Sequence, residues 1–336
     1  MSLPAVSVPA ARTPLPGGVS RRDLLRISAA ATAGLAAGTV VAPGTAAAAA
    51  SPVRWDGHQP GRIYLGASSR GALSTLEGTV GRLGLQRSYY RWDDARRESA
   101  TIARDHAAGR LPWISFKPAS DRPGGWSAIA SGRDDADLRA RARRYAGLRR
   151  PVVVTFHHEP QNDRTGSPAE FAAAWLRVHD VMRSETGLQN VVHVPVLGEW
   201  TFNPVNRGPG PEAFLTRAVL ERCAFLGIDL YQNASGQGYD VRLGRVLDWL
   251  DARGHATTMV GLGETACTDD YGRPTGAQWW SDSWAWAVQH RDRVAAISYF
   301  HSLHHNDSGN DWLLTQSRSK LAAFRSSLRS PTSCRL

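Results

Sequence analysis

From residue 62 onward, short runs rich in β-branched and aromatic residues alternate with longer segments whose apolar residues recur at helical spacing. The runs Arg62 to Ala67, Arg87 to Trp92, Trp113 to Lys117, Val152 to His157, Val191 to Leu197, Phe225 to Tyr231, Met259 to Gly263 and Ala296 to Phe300 read as eight strands. Helical patterns fill the gaps, as in Ala169 to Ser184, where Phe171, Trp175, Val178, Val181 and Met182 line one face, and in Val241 to Ala252. Ser167-Pro168 is a helix-start signal, and Gly187 and Gly254 stand where helices should end. Eight such units in this length match a (β/α)8 TIM barrel of about 250 residues. The expected fold class is therefore α/β, with one parallel barrel in residues 51–336. An open doubly wound sheet is the competing architecture, but it would carry a Gly-x-Gly-x-x-Gly turn after the first strand, where Gly66-Ala67-Ser68-Ser69-Arg70 stands instead.

The first fifty residues read as a targeting segment. Ser20-Arg21-Arg22-Asp23-Leu24-Leu25-Arg26 is a twin-arginine pattern, followed by an Ala/Gly-rich apolar stretch and an Ala-rich run ending near Ala50. A cleaved signal peptide and secretion by twin-arginine export follow, with no stable membrane insertion, because the apolar stretch falls near the lower limit of about 18 residues for a spanning helix. Forty Lys and Arg against thirty Asp and Glu give a net charge of +10, spread along the chain without a basic block. Nucleic acid is therefore not an expected partner, whereas a weak affinity for acidic cell-surface polymers is compatible with this charge. Cys223, Cys267 and Cys334 allow at most one disulfide and no zinc site by spacing. A monomer is the default for a secreted barrel.

Two strands end on glutamates: Val153-Val154-Thr155-Phe156-His157-His158-Glu159 and Met259-Val260-Gly261-Leu262-Gly263-Glu264. Counted in order they are the fourth and seventh, which lie across the mouth of a barrel from one another. Two carboxyls there fit glycoside hydrolysis, retaining at a separation of about 5–5.5 Å and inverting at about 6.5–9.5 Å. Residues two apart on a strand share a face, so Asp229 and Tyr231 of the sixth strand should both point inward beside Glu264, with the tyrosine hydroxyl in reach of its carboxylate. His157 and His158 flank Glu159, and at least one of them should reach the site. Arg91, Trp92 and Lys117 end the second and third strands, and Trp200 follows the fifth. Trp126, Trp279, Trp280 and Trp312 are further aromatic candidates for stacking on a sugar face.

On these residues the chain resembles the clan of retaining TIM-barrel glycoside hydrolases, and within it glycoside hydrolase family 26, which contains β-mannanases together with some xylanases and mixed-linkage glucanases. The likeness rests on His158-Glu159 and on Glu264 with Tyr231, and covers about residues 60 to 325. It implies Glu159 as acid/base, Glu264 as nucleophile, His158 and Tyr231 as their supports, a β-linked polysaccharide or oligosaccharide as substrate, and no cofactor. The sequence departs from the family at Pro160-Gln161-Asn162-Asp163-Arg164, where a glycine and a tryptophan-rich stretch are usual, and in the eighth strand, which lacks a tryptophan.

Two other functions compete. A metal-dependent barrel hydrolase would draw ligands from His157, His158, His301, His304, His305, Asp229 and Glu264, although the first strand has no His-x-His. A non-catalytic carbohydrate-binding barrel would use the aromatics but has no need of two opposed carboxylates.

Overall fold

The computed structural model describes residues 55–69, 71–118, 124–163, 165–185, 190–303 and 311–336. The twin-arginine segment, His304 and His305 lie outside them. Ten strands form in chain order: β1 (Ile63–Ser69), β2 (Leu85–Arg91), β3 (Leu111–Lys117), β4 (Val152–Phe156), β5 (Val191–His193), β6 (Val196–Gly198), β7 (Leu226–Tyr231), β8 (Val260–Ala266), β9 (Val294–His301) and β10 (Ser333–Cys334). All pair in parallel, in the order β5-β4-β3-β2-β1-β9-β8-β7-β6, with β10 added beside β1. Helices cover the connections, giving a TIM-barrel-like α/β fold.

The expected fifth strand is divided in two. Val194 and Pro195 separate β5, which pairs with β4, from β6, which pairs with β7. Proline has no N–H to give to a ladder, and the chain changes partner there: Val194 N donates to Val154 O (2.9 Å), while Pro195 O accepts from Gly227 N (2.8 Å). The two ends of the ladder are thus two residues apart in the chain. The strand β10 was not anticipated. Its two residues are too short for a periodic signal.

Alternation along the strands sorts two cores. Leu111 and Trp113 of β3, with Val153, Val194, Val196 and Phe225, fill the space enclosed by the sheet. Ile114, Phe116, Val152, Val154 and Phe156 point the other way, into the layer under the helices. Caps hold those helices in place: Ser167 and Glu170 form a reciprocal capping box on helix Pro168–Ser184. The three cysteines are buried and unbridged, so the disulfide that the sequence allowed is not made. Among the described residues no helix is long and apolar enough to cross a membrane.

One buried ion pair ties two helices together behind the second strand. Arg141 of helix Asp135–Ala146 makes two bonds to Glu98 of helix Ala95–Ala107 (2.9 and 3.1 Å), and Tyr145 donates to the same carboxylate (2.7 Å). Both ionic side chains are almost wholly enclosed. Removing one partner strands the other charge, so Glu98→Ala should lower unfolding stability by about 3–5 kcal/mol in chemical denaturation. A loss below about 1 kcal/mol would show that the guanidinium finds water or another acceptor.

Candidate active site

The segment after β4 is built on two left-handed residues. His157 has φ 49° and Glu159 φ 50°, both uncommon for residues with a Cβ. Strict alternation from Val153 and Thr155 would turn His157 inward. The left-handed backbone instead directs it away from the sheet interior and gives the inward position to His158. The turn is held from both sides: His157 N donates to Phe116 O (2.9 Å) and Glu159 N to Val196 O (3.0 Å).

The two histidines consequently have different roles. Trp126 Nε1 donates to His157 Nδ1 (3.0 Å), which leaves the ring proton on Nε2, donated to Asp163 Oδ2 (2.5 Å). Asp163 also accepts from Lys117 Nζ (3.1 Å). Burial holds His157 below its ordinary value, and the bonds from His157 and Lys117 hold Asp163 well below the carboxylate range. This chain of bonds fastens the loop that carries Glu159. His158, by contrast, bonds through Nδ1 to Ser115 Oγ (2.8 Å), lies 5.2 Å from the Tyr89 ring and lines the cavity. Burial, then the nearby charge of Arg87, keep it neutral.

Glu264 reaches the same cavity because β8 carries one extra residue. Ile228 pairs with Leu262 and Asp229 with Glu264, while on the other side Leu262 pairs with Ile297 and Thr265 with Tyr299. The bulge falls at Gly263-Glu264. Without it Glu264 would share the outward face of Leu262. A Cβ on Gly263 would stand 2.6 Å from Asp229 Oδ1, so a larger residue there would have to displace the Asp229 carboxyl.

Glu264 is 7% exposed and accepts a hydrogen bond at Oε2 from the Tyr231 hydroxyl. The Tyr231 ring is fixed by Phe300 (5.9 Å) and Trp312 (5.4 Å). Asp229, one layer deeper, is 3% exposed, and burial followed by the charges of Glu264 and Glu159 raises its carboxyl well above the usual range. For Glu159, burial and then the charge of Glu264 push the carboxyl up to about 7. These two groups therefore feel one another across the site.

The cavity holds about 520 Å³ and has Glu264, His158 and Lys117 on its walls. A larger one, about 710 Å³, opens by Cys223 and Met259 at the amino-terminal ends of β7 and β8, away from these carboxyls. Trp200, 39% exposed, lies against Gly198 beside Gln161, next to the loop that follows Glu159. Other sequence candidates are placed elsewhere. Trp92 packs edge-on against Phe116 and Phe156 with Arg141 over its face, so it belongs to the helix layer. Arg91 is exposed and does not line the cavity. Trp126, Trp279, Trp280 and Trp312 are buried and serve packing or internal hydrogen bonds instead of presenting a ring to a ligand.

Arg87, Tyr89 and Ser115 were not anticipated, although alternation along β2 and β3 puts all three on the inward face. All three lie inside their strands, not at the strand ends. Among the described residues no group of three His, Cys, Asp or Glu is placed to hold a metal ion.

No family model and no curated protein matches the sequence. Solved structures do match in fold. An endo-β-1,4-mannanase double mutant of Cellulomonas fimi aligns with TM-score 0.56 at 16% identity over 82% of this chain and 72% of its own. A β-mannanase from a symbiotic protist of the termite Reticulitermes speratus, complexed with gluco-manno-oligosaccharide, gives 0.54 at 13% identity over 82% and 88%. Fungal β-1,4-galactanases give 0.56 at 12% identity over 79% and 99%. At these identities the likeness establishes that the chain shares the TIM-barrel-like fold of these glycoside hydrolases.

Proposed function

We propose that this chain is a retaining glycoside hydrolase acting on a β-linked polysaccharide or oligosaccharide, with Glu264 as nucleophile and Glu159 as general acid and base. The observation that carries this reading is the environment of the two carboxyls at one barrel mouth: one accepts a tyrosine hydroxyl, and the other is pushed up to about 7 by burial and by the first. That difference is what double displacement needs.

In the first step Glu264 attacks the anomeric carbon while Glu159 gives its proton to the departing oxygen. The nucleophile's charge is consumed in the glycosyl ester, which removes the largest electrostatic reason for the raised Glu159 value. Glu159 then takes a proton from water, whose oxygen attacks the anomeric carbon and frees Glu264. Tyr231 holds the carboxylate oxygen it bonds, and neutral His158 is available to bond a sugar hydroxyl. Trp200 supplies a ring face beside the Glu159 loop, where an aglycone sugar can stack. Mannan is the first substrate to test, by likeness to the mannanases.

Digestion of a panel of β-glycans, followed by NMR of the first-formed product, tests the reading. The β-anomer should appear first, and kcat/KM should fall tenfold per pH unit above about 7, as Glu159 loses the proton it must donate. First appearance of the α-anomer from a β-linked substrate would replace double displacement by inversion. Export through the twin-arginine segment, action as a monomer and a mature chain beginning near Ser51 belong to the same proposal; the amino-terminal sequence of secreted protein checks the last.

A further inference from the structure

The cavity beside Glu264 occupies a seam in the sheet. β1 pairs with β2 only at Gly66–Leu85 and Ala67–Gln86, whereas β1 stays paired with β9 up to Ser69–His301 and β2 with β3 up to Arg91–Lys117. Beyond Ala67 and Gln86 the two strands part, and the cavity fills the opening. Its volume lies within the range of about 300–1,000 Å³ common to ligand sites.

Arg87 stands on its wall. The residue is 1% exposed, and none of its three guanidinium nitrogens has a hydrogen-bond partner among the described residues. Its planar face is covered by the rings of Trp113 (4.9 Å) and Tyr89 (5.0 Å), which leaves the in-plane N–H groups unused. Asp229 makes no hydrogen bond to it, and burial, which raises the Asp229 carboxyl well above the usual range, leaves that acid without the charge that would offset the guanidinium. Ser68 Oγ and Ser302 Oγ, in residues lining the same cavity, are also buried without a partner among the described residues, while the Tyr89 hydroxyl faces Glu264. Among the described residues Glu264 is the only carboxylate on the walls, while Arg97 and Lys117, paired with Asp94 and Asp163, also line them.

An enclosed guanidinium without a partner is costly, and the group that best satisfies its in-plane donors is a carboxylate, which accepts two parallel N–H bonds where a sugar hydroxyl accepts one. We propose that the cavity takes a uronate unit of an acidic β-glycan, with the sugar carboxylate against Arg87 and the surrounding hydroxyls bonded to the sugar. That the ligand is a sugar rests on the hydrolase reading above. Arg87 also offsets the repulsion between a bound carboxylate and Glu264. The net charge, +10 over the whole sequence and +7 over residues 51–336, favours approach to a polyanion.

The test compares β-linked oligouronates with the same oligosaccharides after chemical reduction of their carboxyls, so that only the charge and its two acceptors change. Binding is measured by calorimetry to full-length Glu159→Gln protein at pH 6, where Glu159 is already mostly protonated and the substitution removes little charge. The acidic form should bind about ten- to a hundredfold more tightly, the range of a charge-assisted hydrogen bond. Adding Arg87→Gln, with folding checked by circular dichroism, should bring the ratio toward one. If that variant does not fold, the ratio measured with Arg87 intact still decides.

Equal or weaker binding of the uronate, binding of neither form, or an unchanged ratio in folded Arg87→Gln protein would overturn the proposal. Equally tight binding of a sulfated neutral oligosaccharide would overturn the carboxylate assignment. Turnover of neutral glycans alone by the unsubstituted protein overturns this inference and leaves the hydrolase reading standing. Tight uronate binding without turnover of any glycan upholds the acidic site and removes the hydrolase reading.

Discussion

Glu264→Ala should lose at least about a thousandfold in kcat on every glycoside the protein turns over, whatever its leaving group, because no covalent intermediate can form without the attacking carboxylate. The substitution should leave the fold intact. Glu264 is buried, but its described bond is to the Tyr231 hydroxyl, and Tyr231 keeps its contacts with Phe300 and Trp312. A small external nucleophile such as azide should restore part of the activity and yield the α-glycosyl azide from a β-glycoside, since it enters from the vacated face. Circular dichroism and thermal unfolding confirm the folded state, and steady-state kinetics reads the loss. Turnover within tenfold of the unsubstituted protein would remove Glu264 as nucleophile and with it the double-displacement proposal.

Glu159→Ala should divide substrates by their leaving groups. On unactivated glycan, where the departing oxygen must be protonated, the loss should be about 10²–10⁴-fold in kcat/KM. On aryl glycosides with an acidic phenol, kcat/KM should be much less affected, because formation of the glycosyl ester needs little proton donation. Its breakdown by water still lacks a base, so a burst of phenol followed by slow turnover is expected. The alkaline limb near pH 7 should also disappear from kcat/KM for the activated substrate, since the group that titrates there is gone. Equal losses on both substrate types would mean that Glu159 holds the loop or the sugar and donates no proton.

The two substitutions probe different consequences of one electrostatic coupling. Glu264 raises Glu159, and removing its charge by substitution should move the alkaline limb of any residual, azide-assisted activity downward.

The local sequence was legible where a short-range rule acts alone. Strand runs of β-branched residues, apolar spacing in helices and the Ser167-Pro168 cap each determine a conformation within a few residues, and the described elements follow them. The inward direction of Asp229 and Tyr231 came from period-two alternation along β7, which has no residue out of step before them on its own strand. Trp92 shows the limit of that reasoning: its position at a strand end suggested the mouth, but Arg141 and the phenylalanines behind it, far away in sequence, draw the ring into the helix layer. The buried tryptophans of helix Gly276–Gln289 illustrate the same point, because a tryptophan has enough apolar surface to be taken by the core whenever a helix face offers the space.

By itself the sequence determined the succession of strands and helices and the two β runs that lead to Glu159 and Glu264, because period and chain order are properties of neighbouring residues; β4 stops at Phe156, before Glu159, and β8 runs on past Glu264 to Ala266. Tertiary structure decided which side chains meet. The left-handed turn at His157 and Glu159, held by bonds to β3 and β6, sends His157 to Trp126 and Asp163 and His158 to the cavity. The bulge at Gly263-Glu264, fixed by the registers of β7 and β9 on either side, turns Glu264 from the outward face to Tyr231. Both are one-residue departures from strand periodicity, and their energy is supplied by hydrogen bonds to strands that adjoin them only in the folded barrel.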